Sequence, residues 1–212
     1  MSDRANSSDH AEAYRGLRRW HPNPMVQSAI DRIRRHGWAI TAVSELCVYC
    51  DSAECPPPDC PFAYTSGMGL HDIPELAVYG VDAYTGGALL DELACLLHAH
   101  DWRILVDDGV EVSVRALDRP VRLIEMVDKS DLTVTNELFP DSPALQAVWP
   151  DELGSYPWDA GYALEHDDQH VKGIHDTGVG AGRVRGPRVI TTSTAPNRAQ
   201  RRRAQRTRRR TE

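Results

Sequence analysis

The chain has 212 residues, of which 41% are hydrophobic and 26% are charged, and these values are ordinary for a globular protein. No stretch approaches the roughly 20 apolar residues that a bilayer crossing needs, and the first ten residues lack the apolar core of a secretory signal. The composition therefore excludes a membrane-spanning helix, predicts no membrane partner and favours the cytoplasm, where a reducing environment disfavours disulfides.

Charge is distributed unevenly along the chain. Eleven arginines and one glutamate give residues 183–212 a formal charge of +10, so residues 1–182 carry −17 within the total of −7. Such patterns act on solubility and on the attraction of charged partners rather than on the fold. The body is strongly acidic and the end of the chain is strongly basic.

The first predicted elements are a disordered segment over residues 1–20, which are polar and without periodicity, and then a helix. Asn23 suits the cap of this helix and Pro24 suits its first turn, where no backbone donor is needed. Gly37 suits the left-handed residue at its end. Apolar residues recur between them at helical spacing and predict one buried face, formed by Val26, Ala29, Ile30 and Ile33.

Most of the remaining elements are predicted to be short strands, because apolar and β-branched residues occur in short blocks between turn residues. These blocks cover residues 38–44, 62–65, 75–79, 103–106, 110–117, 121–127 and 145–149. Residues 84–100 instead have helical periodicity, with a buried face formed by Leu89, Leu90, Leu93, Leu96 and Leu97. Cys95 in this helix is expected to be a small core residue.

Because strands outnumber helices and their linkers are short, we predict a single α+β domain with two main helices and a mainly antiparallel sheet. The domain covers residues 21–175, and a loop over residues 46–61 joins two of its strands. Glycine, proline, serine, threonine and arginine dominate residues 176–212, which predicts a disordered tail.

Cys47, Cys50, Cys55 and Cys60 have the spacing C-x2-C-x4-C-x4-C within fourteen residues. Four thiolates this close together suit a tetrahedral zinc ion, and four protein ligands leave no position for a catalytic water. We therefore predict a structural zinc ion that fixes the register of the flanking strands, since such sites contribute about 10 kcal/mol in zinc-binding peptides. The alternatives are an iron–sulfur cluster, redox or disulfide chemistry, and a chance grouping.

The same spacing occurs in zinc knuckles, where a histidine stands at the position of Cys55. Knuckles that bind nucleic acid present basic and aromatic residues, whereas this loop carries Asp51, Glu54 and Asp59, and only Tyr49 offers a ring for stacking. Acidic side chains repel phosphates, so the loop itself is not predicted to bind nucleic acid.

Several segments resemble a bacterial family described only as a domain of unknown function, family 4262. The matching segments are Gly37-Trp38, FAYTSGM at 62–68, IPEL at 73–76 with Gly80, ALQAVWPD at 144–151, Gly154 and YPW at 156–158. The resemblance spans roughly residues 37–170 and implies one compact domain, without an activity or a catalytic residue to transfer. It also implies that the four-cysteine loop is an insertion into the family's fold.

The tail is dense in arginine. Arginines at this density bind phosphate polyanions without sequence preference, because binding releases counterions. A contact with the acidic body and a purely solubilising role are the alternatives. The arginines expected to bind nucleic acid or another polyanion are Arg201, Arg202, Arg203, Arg206, Arg208, Arg209 and Arg210.

Two further groups of residues are candidate sites. Tyr64, Thr65, Trp149 and Trp158 are the residues expected to line a pocket near segments 64–68 and 149–158, although aromatic residues of this kind more often cover a core edge. His166 and His170 stand four apart and would share a helix face able to grip a metal. Because no general base stands between them and the segment has little apolar periodicity, a solvated surface is the favoured interpretation.

The sequence thus favours a zinc-binding, non-catalytic interaction module whose basic tail contacts nucleic acid, another polyanion or a protein partner. The alternative is an enzyme of unknown reaction with a pocket near segments 64–68 and 149–158. The non-catalytic hypothesis is preferred because no nucleophile–base pair, open metal site or nucleotide-binding loop stands out in the sequence.

Overall fold

The computed structural model describes residues 14–44, 58, 60–174 and 189–191. Helices α1 to α4 in this part of the chain are Pro24–His36, Ala83–Leu97, Trp102–Asp107 and Thr133–Leu138. Strands β1 to β8 are Ala39–Val43, Phe62–Ser66, Glu75–Tyr79, Glu111–Ser113, Arg122–Met126, Ala144–Val148, Gly173–Ile174 and Val189–Thr191. Short 3₁₀ turns cover Tyr14–Gly16 and Met68–His71.

Six of the strands form one sheet in the order β1-β2-β3-β6-β5-β7. All neighbours are antiparallel except β3 and β6 at the centre, which run parallel with Glu75 opposite Ala144. Strands β4 and β8 form a separate parallel pair in which Glu111 lies opposite Val189. The prediction of an α+β fold with a mainly antiparallel sheet is therefore confirmed.

Helix α1 begins and ends where the sequence predicts. The side chain of Asn23 accepts a hydrogen bond from the backbone N–H of Met25 at 2.9 Å, and Pro24 opens the helix. Gly37 adopts a φ of 99° and donates to the carbonyl of Ile33 at 2.8 Å, which closes the last turn. The predicted buried face is confirmed for Val26, Ala29, Ile30 and Ile33.

Helices cover both faces of the sheet. Alternate residues of each strand point to opposite faces, so Leu76 and Val78 of β3 join one apolar cluster whereas Ala77 and Tyr79 join the other. Helix α2 packs on the first face with its predicted leucines, all of which are buried, and α1 packs on the second face. The central strands of the sheet are therefore buried on both faces.

Three predictions about local structure are wrong. Residues 103–106 are helical, because the Asp101 side chain accepts from the N–H of Arg103 at 3.0 Å and caps α3, and short apolar runs do not distinguish a helix from a strand by periodicity. Within 110–117 only β4 is extended. Cys95 is exposed, because it lies on α2 opposite the leucine face.

Three elements lie where the sequence predicts none. Helix α4 was missed because its six residues carry too little periodicity to recognise. Strands β7 and β8 follow β6, which the sequence predicts to be the last strand. Strand β8 falls within the segment predicted to be a disordered tail, and the other residues of 176–212 lie outside the described part.

Candidate functional site

The predicted zinc ligands fall mostly outside the described residues. Cys47, Cys50 and Cys55 are not described, whereas Cys60 lies just before β2 and its side chain is buried. Its thiol donates a weak hydrogen bond to the carbonyl of Pro61, with the sulfur 3.6 Å from the oxygen. Cys60 is therefore held at the edge of the core, at the point where the cysteine loop rejoins the sheet.

The surroundings of Cys60 shift the pKa of its thiol in opposite directions. Burial is the largest effect and raises the pKa of Cys60, and the carboxylates of Asp167 and Asp168 raise it further. Backbone hydrogen bonds from His170 and Gly80 lower it. The net effect favours the neutral thiol in the absence of a cation, and these contacts place the sulfur beside the turn that carries residues 165–170.

This turn is docked firmly on the sheet. The carbonyl oxygen of Asp168 lies only 1.9 Å from the position that a Cβ would take on Gly80, whose φ of 77° also favours glycine. Gln169 is buried and makes two hydrogen bonds with the backbone of Trp149. Its side chain accepts from the N–H of Trp149 at 2.9 Å and donates to the carbonyl of Trp149 at 2.8 Å. Gln146 donates to the carbonyl of His170 at 2.6 Å.

His166 and His170 of this turn lie side by side, although the segment is a series of turns and not the helix on which they would share a face. Their ring centroids are 4.4 Å apart and both rings lie near Asp167. His166 is 78% exposed, as a solvated surface requires, whereas the His170 side chain is only 16% exposed. The two imidazoles therefore occupy different environments.

Tyr64 and Thr65 are fully buried within the domain. The Tyr64 hydroxyl accepts from the N–H of Val134 at 3.2 Å, and the Thr65 hydroxyl donates to the carboxylate of Glu75 at 2.7 Å. Both side chains therefore hold β2 against its neighbours, and neither lines the cavity described below.

Trp149 and Trp158 lie nearer the surface. The indole N–H of Trp149 donates to the carbonyl of Tyr79 at 2.9 Å, which ties the end of β6 to the end of β3. The Trp158 ring stacks on that of Tyr156, with centroids 5.1 Å apart. Neither tryptophan lines the cavity described below.

A cavity of about 500 Å³ lies beside the segment that follows β6. Burial raises the pKa of Tyr156 at this cavity, and the Glu111 carboxylate raises it further, whereas the Arg122 guanidinium opposes them. Arg122 pairs with Glu111 at 2.8 Å and stacks 4.3 Å over the Tyr156 ring. The cavity is lined by Glu111, Asp118, Arg119, Pro120, Pro150, Asp151, Glu152, Gly154 and Tyr156.

The reactive groups around the cavity are carboxylates and the Tyr156 hydroxyl. Its lining residues include no serine, threonine, cysteine, lysine or histidine. The buried Asp151 carboxylate is occupied by the N–H groups of Leu153, Ser155 and Ala163 at 2.8 to 3.0 Å, and these bonds lower its pKa although burial opposes them. Asp151 therefore shapes the loop and is not free to act as a base.

Glu75 is a fully buried acid that was not singled out from the sequence. Its two carboxylate oxygens accept from the Thr65 hydroxyl at 2.7 Å, from the N–H of Gly67 at 2.8 Å and from the N–H of Gly69 at 3.3 Å. Burial raises the pKa of Glu75, and these hydrogen bonds oppose the rise. An acid at the start of an otherwise apolar strand was the signal in the sequence.

The arginines predicted to bind polyanions, Arg201 to Arg210, lie outside the described residues, so the structure does not place them. No helix in the described ranges has the length and apolar character that crossing a membrane requires. In the described part of the chain, the candidate sites are the sheet edge near Cys60, the turn at 165–170 and the cavity beside Tyr156.

These features define an α+β protein with helices on both faces of a mainly antiparallel sheet and a cysteine-bearing connection at its edge. A sequence model described as "Domain of unknown function (DUF4262)" matches residues 32–163. The chain therefore belongs to the DUF4262 family, as the motifs between 37 and 158 predict. No curated protein and no solved structure matches the chain.

Proposed function

We propose that this protein is a zinc-binding, non-catalytic interaction module in which Cys47, Cys50, Cys55 and Cys60 hold a structural zinc ion. The pairing of β1 with β2 is the observation that supports it, because the last pair in that ladder is Val43 with Phe62. The connection that carries the cysteines leaves the sheet and returns to it at adjacent points, so both of its ends are fixed.

The length of this connection explains what the ion would add. Eighteen residues separate Val43 from Phe62, whereas antiparallel neighbours are commonly joined by about two to five. Four ligands on one ion divide the long loop into short closed segments and reduce the entropy lost on folding. Cys60, buried beside β2, anchors the C-terminal end of this cross-link.

Metal content tests this proposal. Protein purified without added metal is expected to contain about one zinc ion per chain more than a variant with Cys50→Ser and Cys55→Ser purified in the same way. Cys95→Ser is the matched control, because Cys95 is exposed on α2 and is not one of the four clustered cysteines. Bound iron with visible absorbance would instead indicate an iron–sulfur cluster. An absence of bound metal would reject the cysteine site.

The partner-binding part of the proposal concerns the tail. Residues 1–182 carry a charge of −17, so the acidic body repels phosphates, whereas the last thirty residues carry +10. The seven arginines between 201 and 210 supply the density of cations that releases counterions from a nucleic acid. We assign polyanion binding to this segment, with nucleic acid as the first partner to test.

Removal of residues 196–212 is expected to abolish binding to nucleic acid. In the intact protein, affinity is expected to fall on the order of 10³-fold between 50 and 200 mM salt, as for proteins with several phosphate contacts. Gel-shift or anisotropy titrations measure both effects. A variant with all seven arginines replaced by lysine should retain most of the binding, and binding that survives truncation would contradict the proposal.

The cavity beside Tyr156 supports the second candidate, an enzyme or small-molecule binder. This candidate is weaker, because three of the lining carboxylates and the Arg119 guanidinium are paired with charged or backbone groups. An enzyme also needs a nucleophile or a general base in reach of its substrate, and the Asp151 carboxylate, which could serve here, already accepts three backbone hydrogen bonds.

A further inference from the structure

We propose that His166, Asp167 and His170 form a second metal site, with a ligand set distinct from the four cysteines, for a borderline divalent transition ion such as Zn²⁺. Each residue offers one ligand atom, and the three atoms lie within 4.8 Å of one another. Nδ1 of His166 is 3.5 Å and Nε2 of His170 is 3.7 Å from the same carboxylate oxygen of Asp167.

These distances suit an ion between the groups better than direct hydrogen bonds. Charge-assisted N–H···O bonds are usually about 2.7–2.9 Å long, and both separations are longer. Two ligands about 2.0–2.2 Å from a tetrahedral zinc ion lie roughly 3.3–3.6 Å apart. Nε2 of His170 is also buried and makes no hydrogen bond within the described structure, although a buried polar atom normally has a partner.

The protein holds His170 in place before any ion binds. Its ring stacks on the ring of Tyr79 with centroids 6.3 Å apart, and its carbonyl accepts from Gln146. The preceding residues are locked by the contact of Asp168 with Gly80 and by the two bonds between Gln169 and Trp149. A ligand fixed in this way loses little entropy on binding a metal, which raises affinity.

The ligand set determines which class of ion binds and whether a coordination position stays open. Two imidazoles with one carboxylate favour zinc, nickel, cobalt or iron over magnesium and calcium, which prefer sets made of oxygen alone. Three protein ligands leave at least one position for water or a small anion. His166 and Asp167 are 78% and 79% exposed, so that position faces solvent, unlike a site closed by four cysteines.

Titration of the full chain with Co²⁺ tests this proposal, because the absorption spectrum distinguishes thiolate ligands from nitrogen and oxygen ligands. The wild type is expected to bind a second ion without a sulfur-to-metal charge-transfer band. A His166→Ala, His170→Ala variant is expected to bind this ion at least about 100-fold more weakly, and His100→Ala, which removes an exposed histidine elsewhere, should bind normally. Asp167→Asn should weaken binding while leaving the thermal unfolding midpoint nearly unchanged, since Asp167 is exposed.

The outcomes separate the two metal proposals. Unchanged binding in the His166→Ala, His170→Ala variant, or an equal loss in His100→Ala, would overturn the second site. A spectrum with only the thiolate band in the wild type would also overturn it. If no thiolate band appears and the nitrogen–oxygen band is still lost in the double variant, the second site stands and the cysteine site falls.

Discussion

Replacement of Glu75 by alanine is expected to lower the free energy of unfolding by about 3 kcal/mol or more. The substitution removes the acceptor for the Thr65 hydroxyl and for the N–H groups of Gly67 and Gly69. Each buried donor left without a partner costs about 1–3 kcal/mol, and the side chain of Glu75 is enclosed by the core on all sides. Urea unfolding followed by tryptophan fluorescence measures the change.

Glu75→Gln is the matched control. Its amide oxygen can still accept from Gly67 and Gly69, so a loss of about 1 kcal/mol is expected. An equal loss in both variants would show that the three hydrogen bonds do not determine the effect.

The stability of the wild type and that of the Glu75→Gln variant are expected to depend differently on pH. Because burial raises the pKa of Glu75, its contribution to stability is full below the unfolded pKa of about 4.3 and is lost as the pH rises through the folded pKa. The glutamine variant does not titrate at this position and should lack that part of the slope.

Chelation of zinc is expected to lower the free energy of unfolding by about 3 kcal/mol, which is the stabilisation that a cross-link closing a loop of about 15 residues provides. The effect on the domain is smaller than the roughly 10 kcal/mol of binding energy in zinc peptides, because a short cysteine segment can also bind zinc in the unfolded chain. Urea unfolding with and without chelator measures it. Hydrogen exchange should quicken first in β1 and β2, which flank the loop.

The Cys50→Ser, Cys55→Ser variant is the control for chelation. Its unfolding midpoint should match that of the chelated wild type and should not respond to chelator. A wild-type midpoint that is likewise indifferent to chelator would show that the loop does not stabilise the sheet, whatever its metal content.

Much of the fold could be predicted because local signals and burial agree. Asn23, Pro24 and Gly37 mark both ends of α1, and the strand at Glu75–Tyr79 was predicted with its observed bounds. Helix α3 was wrongly predicted to be a strand. Its start is marked by one capping contact from Asp101, and in the sequence this signal is weaker than the apolar, β-branched run that follows it.

The candidate sites depend on contacts that a single sequence does not reveal. The turn around His170 meets the end of β3 at Gly80 and the end of β6 at Trp149, although these positions are far apart along the chain. The pairing of β3 with β6 that brings them together is likewise non-local. The histidine spacing was visible in the sequence, but the burial of one ring and the exposure of the other were not.

The parallel pairing of β3 and β6 also affects how the protein is made. Glu75 and Ala144 are opposite each other but 69 residues apart, so at about 5–20 residues per second β3 waits roughly 3–14 s for its partner during synthesis. In that interval β1, β2 and β3 can pair with one another, while one edge of β3 has no neighbour. Open strand edges associate with other chains, so the nascent chain is most prone to aggregate before residues 144–148 leave the ribosome.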